Sequence, residues 1–156
     1  MKKILLARID DRLIHGQVMT AWLRYVKSKH ILIVDDETYR DSFIKSFIQT
    51  IIPKDITITI LDVKNALEFL KYYEGAGLAI LAKYPQTFYL LIEGGIVISE
   101  IIIGGMGAKE NRKILYKNIC VSDEELDVLN KIVKLGVSVK IKIVPDEKGI
   151  SLNKLR

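Results

Sequence analysis

Two arginines, two aspartates and a histidine lie within eight residues, Arg8 to His15, in the stretch LLARIDDRLIHGQV at positions 5–18. Each type brings its own chemistry. A neutral imidazole is a nucleophile. Guanidinium groups offer paired donors that match the geometry of a phosphate. A carboxylate bonded to one ring nitrogen of a histidine leaves the other free to attack. If the chain from Arg8 to Arg12 is extended, Arg8, Asp10 and Arg12 share one side and Asp11 takes the other. Gly16 follows His15 and would let an anion approach the backbone closely. Together these residues describe a phosphate site with a nucleophile built into it. The same residues also fit a plainer reading: a capping or solvent-exposed histidine beside a surface ion-pair cluster of little energetic weight.

The surrounding pattern says where this turn sits. KKILLARI (2–9) has the apolar run of a strand, and the residues after Gly16 carry Val18, Ala21, Trp22 and Tyr25 at helical spacing. The alternation then repeats. HILIVDD (30–36) is a strand, and 39–52 is a helix with Phe43, Ile44, Phe47, Ile48 and Ile51 on one stripe. DITITIL (55–61) is a strand, and Asp62 caps a helix carrying Val63, Ala66, Leu67 and Leu70. GLAILAKYP (77–85) is a fourth strand, a short helix covers 87–93, and IVISEIIIGG (96–105) is a fifth strand. Ser122 and Asp123 can cap a helix with Leu126, Leu129, Ile132 and Val133, which Gly136 ends, and VSVKIKIVP (137–145) reads as a peripheral strand. Strand and helix alternating throughout predict an α/β fold, a single domain over 1–156 with a mostly parallel, doubly wound sheet. Ligands of such sheets bind at the carboxyl ends of the strands, where the strand order switches. The charged turn is at the carboxyl end of the first strand, and the helix start beside it favours anions and a neutral imidazole.

Composition narrows the class. The chain has 156 residues, 49% hydrophobic, with a net charge of +5. Its lysines are scattered, with no dense basic run, so nucleic acid is not expected as a partner. The apolar segment near the start is too short for an export signal, and no run is long enough to span a bilayer. Cys120 is the single cysteine, which excludes an internal disulfide and any cysteine-based metal cluster and predicts a cytoplasmic location.

A second arrangement uses the same turn. Asp10 and Asp11 at the end of strand one, with Asp62 at the end of strand three, match the acids of a response-regulator receiver, which hold magnesium and accept phosphate on an aspartate. Arg8 and Arg12 would crowd such a cation, and IIIGGMG stands where a receiver has its strand-five lysine. His30 reads as a surface residue; Asp35 and Asp36 end strand two, where either could face the site, and read first as helix caps. The glycines of GGMG (104–107) make a tight turn or offer backbone N–H groups to a phosphate.

ARIDDRLIHGQV (7–18) closely resembles the active-site segment of the IIB subunits of the mannose/fructose/sorbose family of the bacterial phosphoenolpyruvate-dependent sugar phosphotransferase system. ILIVDDE (31–37), EIIIGGM (100–106) and GVSVKIKIVPDEK (136–148) resemble further segments of that family, so the likeness covers nearly the whole chain. The family commonly has Asn before GGM and His after it, whereas this chain reads IIIGGMGAKE. The resemblance implies a protein-phosphohistidine–sugar phosphotransferase. His15 would carry the phosphoryl group on Nδ1, Arg8 and Arg12 would steady the phosphoryl oxygens, Asp10 would position side chains, and Gly16 and Gln17 would complete the motif. It implies a IIA subunit as donor, membrane subunits IIC and IID and a sugar as further partners, and peripheral association with that transporter. No cofactor or metal is implied, and self-association is left open.

Overall fold

The structure is a computed structural model that describes residues 3–155; the side chains of Gln17 and Val18 lie outside the described residues. Its central sheet has seven strands in the order β3-β2-β4-β1-β5-β8-β9. In chain order these are β1 (Ile4–Asp10), β2 (His30–Val34), β3 (Thr57–Leu61), β4 (Leu78–Ala82), β5 (Glu100–Gly105), β8 (Ser138–Ile141) and β9 (Ile150–Ser151). The first six run parallel, and β9 pairs antiparallel with β8 at the edge. A separate antiparallel hairpin, β6 (Lys113–Tyr116) and β7 (Ile119–Val121), interrupts the alternation after β5. The sequence pattern did not point to it.

The helices are α1 (Gly16–Val26), α2 (Asp36–Arg40), α3 (Ser42–Ile51), α4 (Val63–Tyr72), α5 (Pro85–Glu93) and α6 (Asp123–Lys134). Period-two alternation along the strands feeds two cores. Ala7, Ile9, Leu32, Val34, Ile80 and Ile103 pack with α4, α5 and α6. Leu6, Ile31, Ile33, Leu81 and Ile102 pack with α1 and α3 on the other face. Each of these Ile and Leu side chains, taken out of water, contributes about 1.5–3 kcal/mol. This burial makes the sheet a rigid platform for what projects from its carboxyl edge. Arg8 and Asp10 continue the alternation of Leu6, so they point to the α1 side, where an apolar residue would be expected.

Several expectations are corrected. The helix read over 39–52 is two helices, because Asp41 caps a new start by accepting from the Ile44 N–H. On its stripe only Ile48 is buried, while Phe43, Phe47 and Ile51 are exposed. Among the described side chains of α1 the buried ones are Met19, Trp22 and Leu23, and Tyr25 is exposed. His30 is half-buried rather than a surface residue. It hydrogen-bonds Thr59 Oγ1 at 2.8 Å and the Tyr73 hydroxyl at 3.3 Å, and burial lowers its pKa.

Candidate functional site

β1 delivers Asp10 to the carboxyl edge, and the chain then turns back on itself. The Leu13 N–H donates to the Asp10 carbonyl at 2.9 Å, and Leu13 takes a left-handed conformation, φ 58°. Leu13 is buried in the α1-side core, which holds it in that unfavourable region. Gly16, φ +47°, opens α1. A β-carbon there would meet nothing within 4 Å, so the backbone angle, not space, calls for glycine.

Asp10 is 0% exposed and is the hub of the turn. Its Oδ1 accepts from the Arg12 backbone N–H at 3.0 Å and from Arg12 Nε at 3.2 Å. Its Oδ2 accepts from Arg8 at 3.3 Å and lies 2.7 Å from His15 Nε2. Burial pushes the Asp10 pKa up, but donation from the Arg12 backbone, His15 and the Arg12 side chain outweighs it and holds the carboxyl below its ordinary value. An ionised carboxylate only accepts, so Nε2 carries the ring proton and Nδ1 carries the lone pair. His15 is the N-cap residue of α1, yet its side chain makes no capping bond because it is turned to Asp10. The first turn of α1 therefore keeps its positive end without a side-chain cap and without an acidic residue.

The two arginines differ. Arg12 is 59% exposed, and Asp10 holds it through Nε, leaving its terminal nitrogens for a ligand. Arg8 is 1% exposed. One of its terminal nitrogens goes to Asp10 and the other to the Lys142 carbonyl at 3.1 Å, and its guanidinium lies 5.3 Å from the Trp22 ring centroid. Trp22 is pinned in turn by its indole N–H, which donates to the Ile143 carbonyl at 2.8 Å. The expectation that Arg8 steadies phosphoryl oxygens is thus corrected: it is sealed beneath Asp10 and supports that carboxylate. Burial lowers its pKa, partly offset by Asp10.

The glycines of GGMG serve these side chains. A β-carbon on Gly104 would overlap the Arg8 guanidinium, and one on Gly105 would come within 2.8 Å of Asp10 Oδ1. The register between β1 and β5 slips here, with Arg8 opposite Ile102 and Asp10 opposite Gly105. Rather than facing a phosphate, the Gly107 N–H donates to Asp11 Oδ2 at 2.7 Å.

Asp11 faces away from the Asp10 cluster, as period two requires. It accepts from Arg112 at 2.8 and 3.3 Å, and Arg112 also donates twice to Glu125 at 2.8 Å and once to the Gly107 carbonyl at 2.9 Å. Burial would lower the Arg112 pKa, but Glu125 and Asp11 raise it. Asp62 caps α4 through the Asn65 N–H at 2.8 Å. Asp35 caps α2 through Thr38 and pairs with Lys83 at 3.4 Å, and Asp36 accepts from the Val63 N–H. The receiver arrangement therefore fails: its three acids are each committed elsewhere, and among the described residues no three His, Cys, Asp or Glu groups converge on a metal site.

A doubly wound domain thus presents a carboxylate-held histidine and an open arginine at the carboxyl edge of β1, an arrangement whose chemistry suits a phosphoryl group. The profile of the sorbose subfamily IIB component of the phosphotransferase system (PTS) matches residues 4–155. The chain belongs to this family, and it is a IIB phosphocarrier component of a sugar phosphotransferase system. It is 31% identical to the PTS system sorbose-specific EIIB component of Lacticaseibacillus casei, over 90% of this chain and 87% of that one. It is 28% identical to the mannose-specific EIIAB component of Escherichia coli strain K12, over 94% of this chain and 46% of that longer protein. The crystal structure of the IIBSor domain of the Klebsiella pneumoniae sorbose permease superposes with a TM-score of 0.93 at 25% identity, covering 99% of this chain and 96% of that one. Among the described residues no helix is long and apolar enough to cross a membrane.

Proposed function

We propose that His15 is the phosphoryl carrier and that the protein acts as a protein-phosphohistidine–sugar phosphotransferase. The observation that carries this reading is the 2.7 Å contact between His15 Nε2 and the buried Asp10 carboxylate. The Nδ1 lone pair attacks the phosphorus of a donor phosphohistidine. The new N–P bond forms as the donor N–P bond breaks, and the donor nitrogen keeps that electron pair. His15 then holds a phosphoryl group on Nδ1 and a proton on Nε2, so its ring is cationic, and the Asp10 carboxylate stabilises that charge. Arg12 and the start of α1 compensate the negative charge on the phosphoryl oxygens, so the work is positioning plus electrostatics without a cofactor. Gln17 stands next in the motif; its side chain lies outside the described residues.

The donor is a IIA unit, a pairing supported by the mannose relative, whose name joins both units as EIIAB. In the second transfer a sugar hydroxyl oxygen attacks phosphorus, the Nδ1–P bond breaks, and the hydroxyl proton passes to a base on the acceptor side. The IIC and IID membrane subunits present that sugar, with this chain, residues 1–156 acting as one domain, docked at their cytoplasmic face. The test is to incubate the protein with phosphoenolpyruvate, the general phosphotransferase components and a cognate IIA, then map the adduct. An acid-labile, base-stable adduct that is absent in His15→Ala is expected. A magnesium-dependent acyl phosphate on Asp10, Asp11 or Asp62 would contradict it.

A further inference from the structure

We propose that Arg112 is a positioning residue for phosphoryl transfer, acting through Asp11 to fix the turn that aims His15. This rests on the reading of His15 as the acceptor. Between Asp10 and the start of α1 the turn makes few bonds to the rest of the molecule. Its backbone reaches β5 once, where the Asp11 N–H donates to the Gly105 carbonyl at 2.9 Å. Leu13 is buried but in a left-handed conformation that the chain on its own disfavours. The remaining anchor is the Asp11 side chain, which accepts from the Gly107 N–H at 2.7 Å and which Arg112 grips with two nitrogens.

Arg112 is itself immobilised. Its side chain is 2% exposed, and Glu125 takes two of its N–H groups. Glu125 in turn accepts from the Ser122 N–H at 2.9 Å in the capping box of α6. The turn is thus tied to the start of a twelve-residue helix packed in the main core. Any drift of Asp11 shifts the turn that follows it, and so moves His15 against Asp10 Oδ2, which sets both the orientation and the tautomer of the ring. The pair also has an electrostatic effect. A bare Asp11 carboxylate beside the turn would repel an incoming phosphoryl group, and the guanidinium, which it shares with Glu125, offsets part of that charge. The planar fork is needed, because Arg112 bonds Asp11, Glu125 and the Gly107 carbonyl at once, which a lysine ammonium cannot reproduce in the same plane.

The test compares Arg112→Lys and Asp11→Asn with the unaltered full chain. The second variant is nearly isosteric and leaves the Arg112–Glu125 pair in place. Two readouts are taken: the maximal transfer rate at saturating phospho-IIA, and the nitrogen-15 shifts of the His15 ring in the unphosphorylated protein. We expect both variants to lose roughly 10- to 100-fold in maximal rate, the scale of a small misplacement of a reacting group. Both should also convert a single Nε2–H tautomer into a mixture. Glu100→Gln, which breaks the exposed pair with Lys140, should change neither readout. Folded Asp11→Asn with an unaltered rate and a single tautomer would overturn the proposal. Failure of the wild-type protein to take phosphate on His15 would sink the carrier reading instead. The ring shifts would still decide whether Arg112 aims the imidazole.

Discussion

Asp10 and Asp11 are consecutive, carry the same side chain, and each accept hydrogen bonds from an arginine. Their surroundings give them opposite tasks. The Asp11 centre is closed: Arg112 and the Gly107 N–H satisfy its carboxylate, and Glu125 occupies the far side of the guanidinium. The Asp10 centre is open at two points, the Nδ1 lone pair of His15 and the terminal nitrogens of the exposed Arg12. A closed buried ion cluster holds structure, while an open one has valence left for a substrate. One step along β1 flips the side chain to the other face, so a single residue separates chemistry from scaffolding. The arginines repeat the lesson: Arg8 and Arg12 both bond Asp10, yet the buried one fixes the carboxylate and the exposed one can meet an anion.

The comparison is broken most severely by Asp10→Asn. It removes the charge opposite the ring that becomes cationic on transfer, and the phosphotransfer rate of the folded variant should fall by roughly 10³–10⁴-fold, as for the buried aspartate behind other catalytic histidines. Arg12→Lys comes next. It keeps the charge but loses the planar fork, which should cost about 2–4 kcal/mol of transition-state stabilisation. That is roughly 30- to 1000-fold in rate, read from the transfer kinetics.

Glu125, at the far side of the closed centre from the turn, should respond in a different measurement. Glu125→Gln weakens a charge-assisted pair at the start of α6 and should lower the unfolding free energy by about 2–3 kcal/mol in urea titration. Because Asp11 and the Gly107 carbonyl still hold Arg112, the transfer rate should change less than about three-fold. A rate loss as large as that of Asp10→Asn would erase the distinction between the two centres.

Acid should sharpen the comparison by the smallest margin. The Asp10 and Glu125 carboxyls are both held below their ordinary values of 3.8 and 4.5: burial opposes this in each, and the donors around them prevail. A carboxyl depressed in the folded state contributes stability above its unfolded pKa and loses it as pH falls through the folded value. The contribution of these two carboxyls to the unfolding free energy should therefore be flat above about pH 5 and decline below about pH 4. Glu125→Gln should make that decline shallower.

Much of this was legible in the sequence because it depends on local spacing. The alternation that sets Arg8 and Asp10 on one side and Asp11 on the other, the turn ending at His15 and Gly16, and the caps at Asp62 and Ser122 are set by neighbours in the chain. What was not legible depends on residues brought from afar. Nothing near Arg112 shows that it will meet Asp11, 101 positions away, or near Arg8 that the Lys142 carbonyl and Trp22 will seal it in. Gly104 and Gly105 looked like a turn, and only the neighbouring strand reveals that they make room for Arg8 and Asp10. Phe43 and Phe47 follow a helical period that reads as core, but α3 packs on one side only and leaves them exposed.

The most direct test of the account is the site of attachment on the phosphorylated protein. Nitrogen-15 labelling of the histidines, with coupling to phosphorus-31, distinguishes the two ring nitrogens of His15 from each other and from His30. The geometry predicts phosphorus on His15 Nδ1, with Nε2 still protonated and bonded to Asp10. Phosphorus on Nε2 would require that bond to break first and would contradict the role given to Asp10, and phosphorus on any other residue would contradict the carrier assignment itself.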